Sequence, residues 1–189
     1  MEPIYSEEFK ITDLYIDCFG RLLPSKILYM IQEVAGNHFA QLAMDYDSLA
    51  RRGLFWAITR NKVQITRLPM RGETIRLETW PMPTTRVAYP RSVVAYDEQG
   101  SELFRSISLW VLMDPESRAM VLPGKSGVTV EGQLTGSELA VPGSLALRTL
   151  EHSTTRTVRY SDLDVNGHMN NCRYFFFGIF INDHFVFHI

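Results

Sequence analysis

The chain has 189 residues, of which 46% are hydrophobic and 12% aromatic, enough to bury a substantial core in one large domain or two small ones. A formal net charge of -2 gives no reason to expect nucleic-acid binding, which usually leaves a strongly basic domain, so no nucleic-acid partner is expected. Two cysteines, Cys18 and Cys172, lie too far apart in sequence for a disulfide framework and fit a reducing compartment.

The N-terminal ten residues carry three Glu and no apolar run. They resemble neither a signal peptide nor a transit peptide, and a cytoplasmic location is expected. A first strand leads to Pro24, from which Leu28, Ile31, Ala35, Phe39 and Leu42 recur at spacings of three and four. That pattern predicts one long amphipathic helix to about Met44. After Gly53 the period changes to two: Val63 and Ile65, then Ile75, Leu77 and Thr79, then Val87 and Tyr89, then Ile107, Leu109, Val111 and Met113. These are strands of one antiparallel sheet, with turns at 70–73, 97–100 and 114–117. A strand, a long helix and then four or five antiparallel strands is an α+β order in which the sheet wraps the helix, the order of a hot dog domain.

Charge is unevenly spread along this domain. Nine Lys/Arg and two acids fall between Arg51 and Arg91, a basic segment in an otherwise acidic chain. From about Val130 to Ser144 the sequence is rich in Gly, Ser, Leu and Pro without periodicity, as in a linker. We therefore divide the chain into a first domain at 1–130, a linker at 131–150 and the beginning of a second domain at 151–189, with a new strand expected near Thr155 to Tyr160. Setting Asp13-Leu14-Tyr15-Ile16-Asp17 against Asp162-Leu163-Asp164-Val165-Asn166 makes the second unit a repeat of the first. At this register Asp164, Asn166 and His168 face Tyr15, Asp17 and Phe19, which leaves hydrolytic chemistry to the second copy. The apolar stretch Tyr174 to Ile181 is shorter than the ~20 residues that cross a bilayer, so no membrane span is expected.

The densest polar cluster is Tyr160-Ser161-Asp162-Leu163-Asp164-Val165-Asn166-Gly167-His168-Met169-Asn170-Asn171, at a strand-to-helix junction. An imidazole relays protons near neutral pH, a carboxylate orients it, and an amide positions water or polarises a carbonyl; thioester hydrolysis needs these groups. The same residue types also gather in turns and helix caps for backbone reasons alone. Gly124-Lys125-Ser126 is no phosphate-binding loop, because position 119 is Ala where that motif needs Gly. His184 and His188 stand four apart, but no acid-rich ligand set accompanies them, and neither a metal nor another cofactor is expected.

The run from Ser161 to Asn171 resembles the signature of plant and bacterial acyl-acyl carrier protein (acyl-ACP) thioesterases. So do Trp56-Ala-Ile-Thr-Arg60 with the basic strand after it, Gly72-Glu73 to Trp80-Pro81, and Arg105 to Trp110 with Met113-Asp114. The similarity covers the chain to about Tyr174. It implies two tandem hot dog domains, the first shaping the acyl pocket and the second carrying Asp164, Asn166 and His168 as catalytic residues. It also implies hydrolysis of fatty acyl-ACP to free fatty acid and acyl carrier protein, with Ile31, Trp56 and Trp110 as substrate-binding residues. Acyl carrier protein is acidic, which makes Arg51, Arg52, Lys62, Arg67 and Arg71 candidates for docking it. An acyl-CoA thioesterase of the same fold and a non-catalytic acyl-binding module are the alternatives.

One part of the family pattern is missing. A further acidic or cysteine residue lies some thirty residues beyond the histidine in that family, whereas this chain ends at Ile189, and Cys172 sits too close to His168 to replace it. A truncated or frame-shifted product of low activity is expected, with Phe175, Phe176, Phe177, Ile179 and Phe180 favouring homo-oligomers or aggregation unless they pack on the first domain.

Overall fold

The computed structural model describes residues 3–143 and 155–175. Strand β1 (Tyr5–Lys10) and a short 3-10 turn at Asp13–Tyr15 lead into helix α1 (Pro24–Gln41). Pro24 stands in the first turn, where a missing N–H costs nothing. The helix stops three residues short of Met44 because Ala43 turns left-handed, φ 54°, and the N–H of Met44 bonds back to the Phe39 carbonyl at 2.9 Å. Helix α2 (Tyr46–Ala50) follows, its first turn capped by the Asp45 carboxylate, which accepts from the Ser48 N–H at 2.9 Å.

Four long strands then complete the sheet: β2 (Phe55–Ile65), β3 (Thr74–Pro81), β4 (Tyr89–Tyr96) and β5 (Glu102–Met113), with the two-residue β6 (Met120–Val121) and helix α3 (Pro123–Ser126) after them. Every pairing is antiparallel and the order is β1-β3-β4-β5-β2, with β6 on the end of β5. This is the predicted helix wrapped by an antiparallel sheet. Ile75 and Leu77 of the alternating β3, Val93 and Ala95 of β4 and Phe104 of β5 form one core with Ile27, Met30, Ile31 and Val34 of α1, whereas the alternating Ile107, Leu109 and Val111 of β5 fall on the opposite face of the sheet. The segment 155–159 is not a strand; it runs without regular pairing into a 3-10 turn at Tyr160–Asp162.

The described part of the expected linker packs on the outer face of the sheet. Trp80, Met82, Val94 and Ile107 form a second apolar surface there, joined by Leu139. The Glu138 carboxylate accepts from Trp80 Nε1 at 3.0 Å, and the Ser137 carbonyl accepts from Arg105 Nη1 at 2.7 Å. Gly132 is required by contact, since a Cβ there would lie 2.2 Å from the Met82 carbonyl. Residues 144–150 lie outside the described residues.

Ile31 is fully buried in this core and is not among the residues that line the cleft described below. Its packing on all sides makes it a stability residue. Ile31→Trp is therefore expected to destabilise by about 1–3 kcal/mol through overpacking, and Ile31→Ala by about 2–5 kcal/mol, both read from urea unfolding midpoints. A change of chain-length preference at unaltered stability would contradict this.

Two ionisable groups lie in the interior between α1 and the sheet. His38 and Arg91 are each 1% exposed, and Arg91 Nη1 lies 3.0 Å from His38 Nδ1 and 3.1 Å from Thr79 Oγ1. Burial, and then the Arg91 cation, push the His38 pKa down to about 4. Between pH 6.5 and about 4 the unfolded chain takes up a proton that the folded chain refuses, so stability falls as pH drops through that window. The loss is about 3 kcal/mol at its limit. Unfolding midpoints from pH 7 to 4.5 should fall more steeply in the wild type than in His38→Gln; equal slopes would count against the buried neutral imidazole.

Candidate functional site

The polar cluster folds as a tight turn, and its geometry repeats one near the N-terminus. In the second unit the Asp164 N–H donates to the His168 carbonyl at 2.8 Å and the Gly167 N–H to the Asp164 carbonyl at 3.0 Å. Asp164 Oδ1 collects the N–H groups of Asn166 at 2.9 Å and His168 at 3.3 Å. In the first unit Asp17 does the same: its N–H donates to the Arg21 carbonyl at 2.8 Å, its carbonyl accepts from Gly20 at 3.0 Å, and Oδ1 collects Phe19 at 2.8 Å and Arg21 at 2.9 Å. Gly20 and Gly167 both take the left-handed conformation, φ 75° and 70°, which any Cβ would strain. A 3-10 turn precedes each loop and a helix follows it, α1 in the first unit and residues 171–175 in the second.

The turn therefore recurs, in a register two residues away from the sequence expectation. Asp164 corresponds to Asp17, Asn166 to Phe19 and His168 to Arg21. The leucine and acid matches that set the earlier register are local coincidences; the hydrogen-bonded turn with its glycine is what recurs. Asp164 is thus a turn builder present in both copies, whereas the amide and imidazole are particular to the second.

This turn opens on a cleft of about 750 Å³ lined by Asp164, Asn166 and His168 together with Trp56, Ile58 and Trp110. Five of the six predicted catalytic and substrate-binding residues meet there, and Ile31 is the exception. The His168 ring packs edge-on against Phe55, centroids 5.6 Å apart. The side-chain amide of Asn166 has no partner among the described residues and faces this cleft. Beneath the turn, Asp162 is 2% exposed. Its carboxyl is held below the usual range by the Arg159 N–H, against the effect of burial, with Arg156 and Arg173 adding to it. Asp162 thereby anchors the turn without entering the cleft.

Several residues of the site escaped the sequence reading, Phe55 and three others among them. Gln32 and Gly36, one turn apart on α1, also line the cleft; an exposed glycine in mid-helix was the available signal. The third is Arg118, from the turn between β5 and β6, which takes a left-handed backbone, φ 56°. Its Nη1 contacts His168 Nε2 and lies 3.4 Å from the Asn166 carbonyl, with the guanidinium 5.7 Å above the Phe55 ring. A guanidinium only donates, so Nε2 accepts and the proton of the neutral imidazole sits on Nδ1. Nothing in the sequence distinguishes this arginine from other surface ones.

The basic segment does not form one face. Arg51 and Arg52 lie at the end of α2, Arg52 donating to the Gly127 carbonyl at 2.7 Å. Lys62 is exposed in the middle of β2. Arg67 and Arg71 lie beyond its far end, about 35 Å away along an eleven-residue strand. There Arg67 pairs with Glu73 at 2.9 Å and Asp97 at 3.4 Å, and Arg71 with Asp13. Arg91, the last of the run, is in the core.

Cys172 is fully buried against the first unit's core, and burial pushes its thiol up to about 12, so it is no nucleophile. Phe175 packs on the same core, while Phe176, Phe177, Ile179, Phe180, His184 and His188 lie outside the described residues. Among the described residues there is no cluster of three or more metal-ligating side chains, and no helix is long and apolar enough to cross a membrane.

A long helix wrapped by an antiparallel sheet is the architecture of the hot dog fold. The fold superimposes on an acyl-ACP thioesterase from Bacteroides thetaiotaomicron with a TM-score of 0.83 at 22% identity, over 95% of this chain and 74% of that one. The 12:0-ACP thioesterase of Umbellularia californica gives a TM-score of 0.73 at 24% identity, over 91% and 68%. Residues 2–122 match the acyl-ACP thioesterase N-terminal domain and residues 148–183 the acyl-ACP thioesterase C-terminal domain. The chain belongs to the acyl-ACP thioesterase family. Among named relatives, the palmitoyl-acyl carrier protein thioesterase, chloroplastic, of Gossypium hirsutum is 26% identical over 186 residues, which is 90% of this chain and 45% of that protein. The chain spans about half the length of the relatives it matches.

Proposed function

We propose that this chain hydrolyses fatty acyl-ACP to free fatty acid and acyl carrier protein, with the acyl group held by the first unit and the chemistry on the second. The carrying observation is that the turn bearing Asn166 and His168 faces an aromatic cleft walled by Trp56 and Trp110. Water attacks the thioester carbonyl carbon while His168 accepts its proton; the C–S bond then breaks and the proton passes to the leaving sulfur. The unpartnered amide of Asn166 donates to the carbonyl oxygen as it gains charge. Asp164 fixes the turn, and Arg118 holds the imidazole in one tautomer until substrate displaces it.

Parallel assays of the full chain on acyl-ACP and acyl-CoA of matched length test the reading. Turnover of the ACP ester at the higher kcat/KM is expected; preference for the CoA ester assigns the alternative carrier, and hydrolysis of neither leaves an acyl-binding module. Arg118→Ala is expected to lower kcat/KM about 10-fold, because the imidazole of the free enzyme loses its fixed tautomer and orientation. Unchanged kcat/KM would remove Arg118 from the site.

A further inference from the structure

The interior beside Phe39 is unusually polar for a core, and its polar groups are mostly hydrogen-bond donors. His38 Nδ1 accepts from the Arg91 guanidinium, so the proton of this neutral imidazole is on Nε2. His38 Nε2, Arg91 Nε and Arg91 Nη2 are all buried without a partner among the described residues, as are Ser106 Oγ and Asn61 Oδ1. Strand register sets them on one face: Arg91 pairs with Ser108, Ser108 with Asn61, and Ser106 occupies the next same-face position along β5. Paired residues of neighbouring strands point to the same side of a sheet, so a polar stripe crosses three strands under α1. Buried polar groups are ordinarily satisfied, and a buried guanidinium with no carboxylate beside it is rarer still.

The stripe is one ring away from the cleft. Phe39 stacks on Trp56 with centroids 4.8 Å apart and rings 18° from parallel, and the Arg91 guanidinium carbon stands 4.2 Å over the same ring. Two groups cannot share one face at those distances, so Phe39 is sandwiched between the cleft wall and the buried cation. The Phe39 ring is what lies between them.

We propose that the Arg91–His38 donors form a subsite for a hydrogen-bond-accepting oxygen carried on the acyl chain remote from its thioester, with Phe39 as the partition. This rests on the reading of the cleft as an acyl site. A plain saturated chain reaching Arg91 would leave the donors unmatched and desolvated, whereas a hydroxyl, oxo or carboxylate oxygen satisfies them. Phe39 keeps the stripe closed when the chain is short.

The test is binding by the full chain of fatty acids of equal length that are unsubstituted, hydroxylated, oxo-substituted or terminated by a second carboxylate, each in wild type and in Arg91→Met, whose fold is checked by thermal melting. One or more oxygenated chains should bind about 10- to 100-fold tighter than the plain chain, and Arg91→Met should abolish that margin. The rank among the three oxygen types identifies which the subsite takes. Equal binding of plain and oxygenated chains by the wild type overturns the subsite even if Arg91→Met does not fold, and so does a margin that survives in a folded Arg91→Met; the donors would then serve internal water only. Failure of every chain to bind overturns the acyl site along with it.

Discussion

Replacement of His168 by alanine is expected to lower kcat for acyl-ACP by about 10²- to 10⁴-fold, the range that a positioned general base contributes. The imidazole has intermediate exposure, sits in a surface turn, packs on the Phe55 edge and contacts Arg118. Its loss should therefore move stability by no more than about 0.5 kcal/mol. Affinity for the uncleaved thioester should also hold, because the cleft wall of Trp56 and Trp110 is untouched. Single-turnover rates on acyl-ACP, with thermal melting alongside, separate the chemical step from binding and folding. Retention of wild-type turnover in a folded His168→Ala would remove the imidazole from the mechanism and reassign proton transfer to another group of the cleft.

Asp164→Ala is expected to reduce turnover about 100-fold or more, although the carboxylate itself need not touch the reacting atoms. Its Oδ1 gathers the N–H groups of both Asn166 and His168, so without it the two side chains lose their common frame, and displacement of about 1 Å is enough for a loss of that size. Asp164→Asn keeps an oxygen able to accept both bonds and should retain most of the activity. A catalytic role for the negative charge would instead make Asn as damaging as Ala. The first unit provides the internal control: Asp17 makes the same two bonds to Phe19 and Arg21. Asp17→Ala should lower the thermal midpoint by loosening the first turn and leave the single-turnover rate near that of wild type.

The contrast between these two aspartates illustrates how far a repeat can be read from one sequence. The short match of acid, leucine and β-branched residues lies beside a turn that does recur, but it misplaces that turn by two positions. Residue identity is a weak guide to register when a turn is defined by backbone bonds, and only the paired N–H and carbonyl contacts set Asp164 on Asp17. The strand expected near Thr155 to Tyr160 does not form, since no neighbouring strand pairs with it among the described residues. Pairing, not propensity, makes a strand.

Local chemistry was legible in the amino-acid sequence by itself: the helix from Pro24, the alternating strands, and a turn rich in Asp, Asn and Gly carrying a histidine all follow from side-chain period and backbone preference. Which of those residues share a site was settled only by tertiary structure, because that depends on contacts between segments distant along the chain. Sheet closure brought Trp56 and Trp110 to the same cleft as His168, sent Ile31 to the opposite, core-facing side of events, and carried Arg118 across fifty positions to the imidazole. The basic segment shows the same limit from the other direction. Nine cations near one another in sequence were dispersed, since an extended strand moves each residue about 3.3 Å onward and turns successive side chains to opposite faces, and Arg91 ended beneath the helix rather than on the surface.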